Sequence, residues 1–143
     1  MKPGVLILCT GNSARSQMAE GFLRAMAGDR FDIYSAGLTP KGVDRHAIEA
    51  MREVGIDIAS HESTDVRDFL GRAFGIIITV CDNAERNCPV FPGAAIRLHW
   101  PFEDPASFEG NETERLARFR LVRDQIRAKI QQWIDQPHAS SRA

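Results

Sequence analysis

Five consecutive apolar residues, Val5-Leu6-Ile7-Leu8-Cys9, empty into a run of small polar ones, Thr10-Gly11-Asn12-Ser13-Ala14, before Arg15-Ser16 opens a pattern of period 3.6. The change of period predicts a buried strand, a tight loop and then a helix over Ser16–Ala27, with Met18, Phe22 and Met26 on one face and Gly28-Asp29 as its stop. The same alternation recurs. Phe31–Ala36 reads as a second strand closed by Gly37, and Asp44–Val54 as a helix with Ala47, Ile48, Met51 and Val54 on one side and Gly55 ending it. A helical turn follows over Val66–Leu70. Gly75–Cys81 is apolar without interruption, the pattern of a strand buried on both faces, and Ile96-Arg97-Leu98 is a weaker fourth strand. Glu112–Trp133 carries Leu116, Phe119, Val122, Ile126, Ile130 and Trp133 along one stripe, whereas its arginines, Arg115, Arg118, Arg123 and Arg127, interleave with acids as a solvated face. We divide the chain into one domain over residues 1–134 and a frayed tail over residues 135–143. Strand and helix alternation implies a parallel sheet flanked by helices, with ligands bound beyond the carboxyl ends of the strands.

At 143 residues and a net charge of −1, the chain is one domain long and has no basic block to track a nucleic-acid backbone. Its apolar runs are strand-sized, so neither a signal peptide nor a membrane span is expected, and the cytoplasm is the expected compartment. Three cysteines in such a chain point to reactive thiols rather than to a disulfide framework.

The loop after the first strand has the makings of an anion cradle. Thr10, Gly11, Asn12, Ser13, Ala14, Arg15 and Ser16 would bring successive backbone N–H groups, a helix N-terminus and a guanidinium fork around a tetrahedral oxyanion. Cys9 stands at its floor as a nucleophile, and the positive surroundings are expected to lower its pKa so that the thiolate dominates at neutral pH. Cys9 and Cys81 both end strands, so both open onto the same crevice.

The run Cys9-Thr10-Gly11-Asn12-Ser13-Ala14-Arg15-Ser16-Gln17-Met18-Ala19-Glu20, with Cys81, Cys88, His99-Trp100 and Glu103-Asp104-Pro105-Ala106, resembles the arsenate reductases built on the low-molecular-weight tyrosine phosphatase fold. The resemblance implies a four-stranded parallel sheet in the order 2-1-3-4. It implies arsenate as substrate, with phosphate or sulfate as mimics, and Asp104 as the acid that protonates the leaving oxygen, although Asp-Pro is also a common turn or helix-cap pair. Cys81 and Cys88 separate reduction from hydrolysis. A phosphatase needs only the first cysteine, whereas a reductase needs a second thiol to attack the Cys9 sulfur and a third to carry the disulfide outward to a reductant, which the resemblance makes thioredoxin. If 82–87 is helical, Cys81 and Cys88 stand about 10 Å apart along its axis, too far for a disulfide, so that segment must unwind.

The resemblance also implies, for some members, a potassium site at Asn12, Glu20 and Ser35, with Thr64 here in place of an aspartate. Asn12 is expected to hold the loop through side-chain hydrogen bonds, and Ser16 to bond the Cys9 sulfur. His46, His61 and His138 lack metal-ligand spacing and read as surface or capping residues, and His99 as a packed neighbour of the site. Ala106-Ser107 replace the aromatic residues that would stack a phosphotyrosine ring. The chain is expected to act as a monomer. Two alternatives to an arsenate reductase remain: a phosphatase acting on phosphotyrosine or small monoesters, and a non-enzymatic thiol sensor.

Overall fold

The computed structural model describes residues 2–93 and 95–136. Four strands, β1 (Gly4–Cys9), β2 (Asp32–Gly37), β3 (Ile76–Thr79) and β4 (Ile96–His99), form one parallel sheet in the order β2-β1-β3-β4. Helices α1 (Arg15–Ala27), α2 (Arg45–Arg52), α3 (Asp82–Arg86) and α4 (Glu112–Asp135) alternate with them, together with 3₁₀ turns at Val66–Phe69 and Pro105–Ser107. Each expected element is present, most with ends displaced by one or two residues. The 3₁₀ turn at Pro105–Ser107 realises the turn or cap that Asp104-Pro105 allows.

The central strands are sealed on both faces. Residues Val5–Leu8 and Ile76–Ile78 are almost fully buried, as their unbroken apolar character requires. α1 packs on β1, β2 and α4, and α4 also receives α2. The α4 stripe is buried from Phe119 to Trp133, with Trp133 stacked on Phe31 at 5.3 Å and Trp100 edge-on to it at 5.7 Å. That helix begins with a capping box between Asn111 and Glu114 and runs through Asp135, past the expected start of the tail, because Ile134 still finds the core. The rest of the expected tail, 137–143, including His138, lies outside the described residues.

Two surface readings need correction. Arg123 is buried: its guanidinium donates to Ala50 O at 3.0 Å and to Glu53 Oε1 at 2.9 Å, clamping α4 to the end of α2. His46 is buried too, tilted on Phe119 and 3.1 Å from Glu112 Oε2, so it ties α2 to the start of α4. Arginine and histidine tips satisfied by a distant helix cannot be told from solvated ones by spacing along their own helix.

Candidate active site

The loop 10–14 leaves β1 beside the end of β2 and is held by its own carbonyls. Cys9 O, Thr10 O and Gly11 O accept from Leu38 N, Thr39 N and Lys41 N at 3.2, 2.8 and 2.9 Å, and Ser13 O accepts from Asp44 N at 3.0 Å. Asn12 O accepts from Ser63 Oγ and Gln17 Nε2. In a trans peptide the carbonyl of one residue and the N–H of the next point in opposite directions. Carbonyls turned out toward 38–44 and Ser63 therefore turn the following N–H groups in toward the cavity. The left-handed residue of the loop is Asn12 (φ 46°), not Gly11; asparagine is among the few side chains that tolerate that region.

The cavity thus formed, about 240 Å³, is lined by Cys9, Thr10, Gly11, Ser13, Ala14 and Arg15 on the loop side and by Lys41, Asp104 and Ala106 across from it. Asn12 and Ser16, expected as lining residues, are fully buried behind the loop instead. Asn12 Nδ2 donates to Ser16 Oγ at 2.8 Å and to Ser35 Oγ at 2.9 Å, and its Oδ1 accepts from Thr64 N at 2.8 Å. Ser16 thus buttresses Asn12 rather than the Cys9 sulfur. α1 begins at the cavity without a side-chain cap, leaving its first N–H groups for a ligand.

Arg15 reaches over the cavity, with Nη1 donating to Phe102 O at 3.1 Å and Nη2 3.8 Å from Asp104 Oδ2. Asp104 caps a turn and also lines the cavity. Oδ1 caps the turn at Ala106 N, 3.0 Å away, and Oδ2 faces Arg15. Arg15→Lys is expected to weaken phosphate binding about 10- to 100-fold, because one ammonium cannot replace a planar pair of charged donors. Isothermal titration with phosphate measures it, and near-parental affinity would place Arg15 outside the cradle.

The two buried thiols at the floor act as one unit. Hydrogen bonding to Cys81 and burial push the Cys9 thiol up, against the downward pull of Arg15 and the Thr10 amide. Cys81 is drawn down to about 5 by the hydrogen bond from Cys9, with help from Thr10, the Ala84 amide and Arg15. At Cys9, burial and the neighbouring thiol thus oppose Arg15, against the lowering expected from positive surroundings alone. Cys81 Sγ also serves as the N-cap of α3, accepting from Ala84 N at 3.4 Å, with Thr10 Oγ1 at 3.4 Å. Cys88 follows α3, half-buried, its thiol raised by burial.

Four residues support the loop in ways the sequence scarcely signals: Lys41, Gly37, Gln17, and His61, which faces Gln17 rather than serving as a surface or capping residue. A Cβ on Gly37 would meet Asn12 N and Thr10 O at 2.8 Å, so the end of β2 must be glycine for the loop to lie against it. Lys41 was signalled only by lying just past the end of a strand. Gln17 Nε2 donates to Asn12 O and Glu62 O, and His61 Nδ1 lies 3.1 Å from Gln17 Oε1.

Asn12, Ser35 and Glu20 do converge, but on one another. Ser35 Oγ donates to Glu20 Oε1, Arg24 Nε donates to Glu20 Oε2 at 2.9 Å, and His61 Nδ1 lies 3.6 Å from that oxygen. An amide NH₂ facing two serine oxygens and a carboxylate closed by a guanidinium do not fit a potassium ion. Exchanging potassium for sodium at constant ionic strength is therefore expected to leave turnover and Tm unchanged; a higher Tm in potassium would contradict this.

Residues 4–142 match the family model described as low molecular weight phosphotyrosine protein phosphatase. The chain belongs to that family. Within the family, it is 45% identical over 130 residues to arsenate reductase 1 of Staphylococcus epidermidis, covering 91% of this chain and 94% of that protein. It is 42% identical over 134 residues to an arsenate reductase of Halalkalibacterium halodurans, covering 94% and 96%. Among solved structures, an arsenate reductase in the phosphate binding state superposes with a TM-score of 0.74 at 32% identity, covering 94% of this chain and 97% of that one. The low molecular weight protein tyrosine phosphatase from T. tengcongensis, at 22% identity, TM-score 0.77 and coverage of 94% and 99%, shares the fold.

Proposed function

We propose that this protein reduces arsenate to arsenite. The observation that carries the reading is the placement of the thiols: Cys9 lines the oxyanion cradle, Cys81 is buried with its Sγ 3.4 Å from Thr10 Oγ1 of the cradle loop, and Cys88 stands one short helix away. Loss of the Cys9 proton to Cys81 arms the nucleophile. The Cys9 thiolate attacks arsenic, a sulfur–arsenic bond forms, and one oxygen leaves as water with a proton from Asp104. Cys81, deprotonated again, attacks Cys9 Sγ; the sulfur–arsenic bond breaks with its electron pair left on arsenic. Arsenic is reduced by two electrons, and two thiols become the Cys9–Cys81 disulfide. Cys88 then attacks Cys81, releases Cys9 as a thiolate and leaves a Cys81–Cys88 disulfide for an external dithiol, which we take to be thioredoxin.

Among the lining residues of the cavity there is no aromatic ring, and Phe108, just beyond, lies under Arg118 at 4.4 Å. A small tetrahedral anion fits this cavity better than a phosphotyrosine ring. Three free thiols suit a reducing compartment, so we place the enzyme in the cytoplasm. No helix among the described residues is long and apolar enough to cross a membrane. Every proposed reacting group belongs to one chain, which supports a functional monomer.

The deciding assay follows arsenate-dependent NADPH oxidation with thioredoxin and its reductase, beside a glutaredoxin arm. Sustained oxidation with arsenite release is expected in the first arm, and none in either would overturn the reading. Asp104→Asn is expected to lower turnover about 10²- to 10⁴-fold while phosphate affinity changes little. Turnover within a few-fold of the parent would assign the proton to another group.

A further inference from the structure

The short helix between the two downstream thiols is held from behind by side chains that touch neither substrate nor sulfur. Thr79, at the end of β3, is 1% exposed, and its hydroxyl donates to Glu85 Oε1 at 2.9 Å. The same oxygen lies 2.8 Å from His99 Nδ1 at the end of β4, and His99 Nε2 lies 3.1 Å from Asp82 Oδ1. Asp82 and Glu85 belong to the first turn of α3. Thr79 has one hydrogen to give; once it goes to Glu85, the oxygen accepts from His99 Nδ1–H, and His99 Nε2 lies against Asp82 Oδ1. Two adjacent strands of the sheet therefore grip α3 through its acidic residues with charge-assisted bonds.

A helix as short as α3 has no independent stability, and Asp82 and Asn83 are mediocre helix formers. Its helicity depends on what holds it. One hold is the Cys81 sulfur, which caps Ala84 N, and another is Asn83, whose Nδ2 donates to Thr10 Oγ1 at 2.9 Å. The third is the Thr79–His99 pair.

Resting on the relay proposed above, we infer that Thr79 and His99 latch α3 and so time the transfer of the disulfide from Cys9–Cys81 to Cys81–Cys88. When Cys81 Sγ bonds to Cys9, the anionic cap on α3 is lost. The latch is then a principal remaining hold, and its release lets the segment unwind. The Cys88 thiolate then reaches Cys81 Sγ, the Cys81–Cys88 bond forms, the Cys9–Cys81 bond breaks, and Cys9 departs as a thiolate with no net change in oxidation. In the fully reduced protein the same latch keeps Cys88 away from Cys81, so a stray disulfide cannot join them before arsenate arrives. Thr79 and His99 are positioning residues, acting through α3.

The test uses the full chain with His99→Ala and, on the exposed side of the latch, Glu85→Ala, which leaves the core untouched. Hydrogen exchange at the amides of 84–87 in the reduced protein is expected to rise about 3- to 10-fold. Oxidation of Cys81 and Cys88 by oxidised glutathione without arsenate, which yields one protein disulfide and two reduced glutathiones, should accelerate similarly. So should conversion of Cys9–Cys81 to Cys81–Cys88 in acid-quenched samples after one equivalent of arsenate, with phosphate affinity unchanged. Parental exchange and parental conversion in both variants would overturn the latch, and so would a rise in exchange spread equally over β1 and β3, which marks general loosening. Arsenite release in the parent reports separately on the relay: its absence beside a loosened α3 counts against the reductase reading, and its presence beside an unaltered α3 counts against the latch.

Discussion

Replacement of Cys9 by serine is expected to abolish both arsenite production and hydrolysis of a small aryl phosphate, with no loss of fold. The thiol is almost fully buried beneath the loop amides and Arg15, and no other sulfur lines the cavity. A serine hydroxyl there fits the space, but it stays protonated where a cysteine thiol can ionise. The oxyanion donors remain, so phosphate should still bind and raise Tm, which separates loss of chemistry from loss of structure. Arsenite release by the variant above the no-enzyme background would remove Cys9 from the role of nucleophile.

The fold was legible because its signals are local. Uninterrupted apolar runs mark β1 and β3 as buried, and they occupy the centre of the sheet, while the weaker run Ile96-Arg97-Leu98 lies at its edge; the strand order itself was implied by the family resemblance. Element ends were less legible. They are set by groups such as Asp44, which caps α2, and Asn111, which caps α4, whose hydrogen bonds decide between adjacent starting residues.

The cradle was legible for the same reason, being one contiguous segment, and the thiol pair because Cys9 ends β1 and Cys81 lies two residues past the end of β3 in the same parallel sheet. The supporting layer was not. Lys41, Gly37, Gln17 and His61 act on the loop from segments brought together only by the fold, and nothing in their own neighbourhoods announces it. The upward push on the Cys9 thiol was not legible, because a guanidinium and a helix terminus can be seen in sequence, whereas burial beside Cys81 cannot. Glu20 gave a similar lesson: its carboxylate looks available for a cation until Arg24, one helical turn on, is seen closing on it at 2.9 Å.

Cys81→Ser and Cys88→Ser are expected to fail at different steps, and the difference separates reduction from hydrolysis. Cys81→Ser removes the attacking sulfur, so arsenite release should stop. Hydrolysis of an aryl phosphate should survive, because Cys9 loses the partner that pushes its thiol up and keeps Arg15 and the Thr10 amide that pull it down. Cys88→Ser retains the first exchange. One equivalent of arsenite should appear, followed by arrest as a buried Cys9–Cys81 disulfide that an external dithiol reaches poorly, with no sustained NADPH consumption. Cys88 itself is partly exposed and followed by Val90 at 90% exposure, so in the parent the terminal disulfide sits where a reductant can meet it. Mass spectrometry of peptides after one arsenate exposure should find Cys81–Cys88 in the parent and Cys9–Cys81 in the Cys88 variant. Multiple turnover with both cysteines replaced would mean that an external thiol resolves the Cys9 adduct directly, and the intramolecular relay would have to be abandoned.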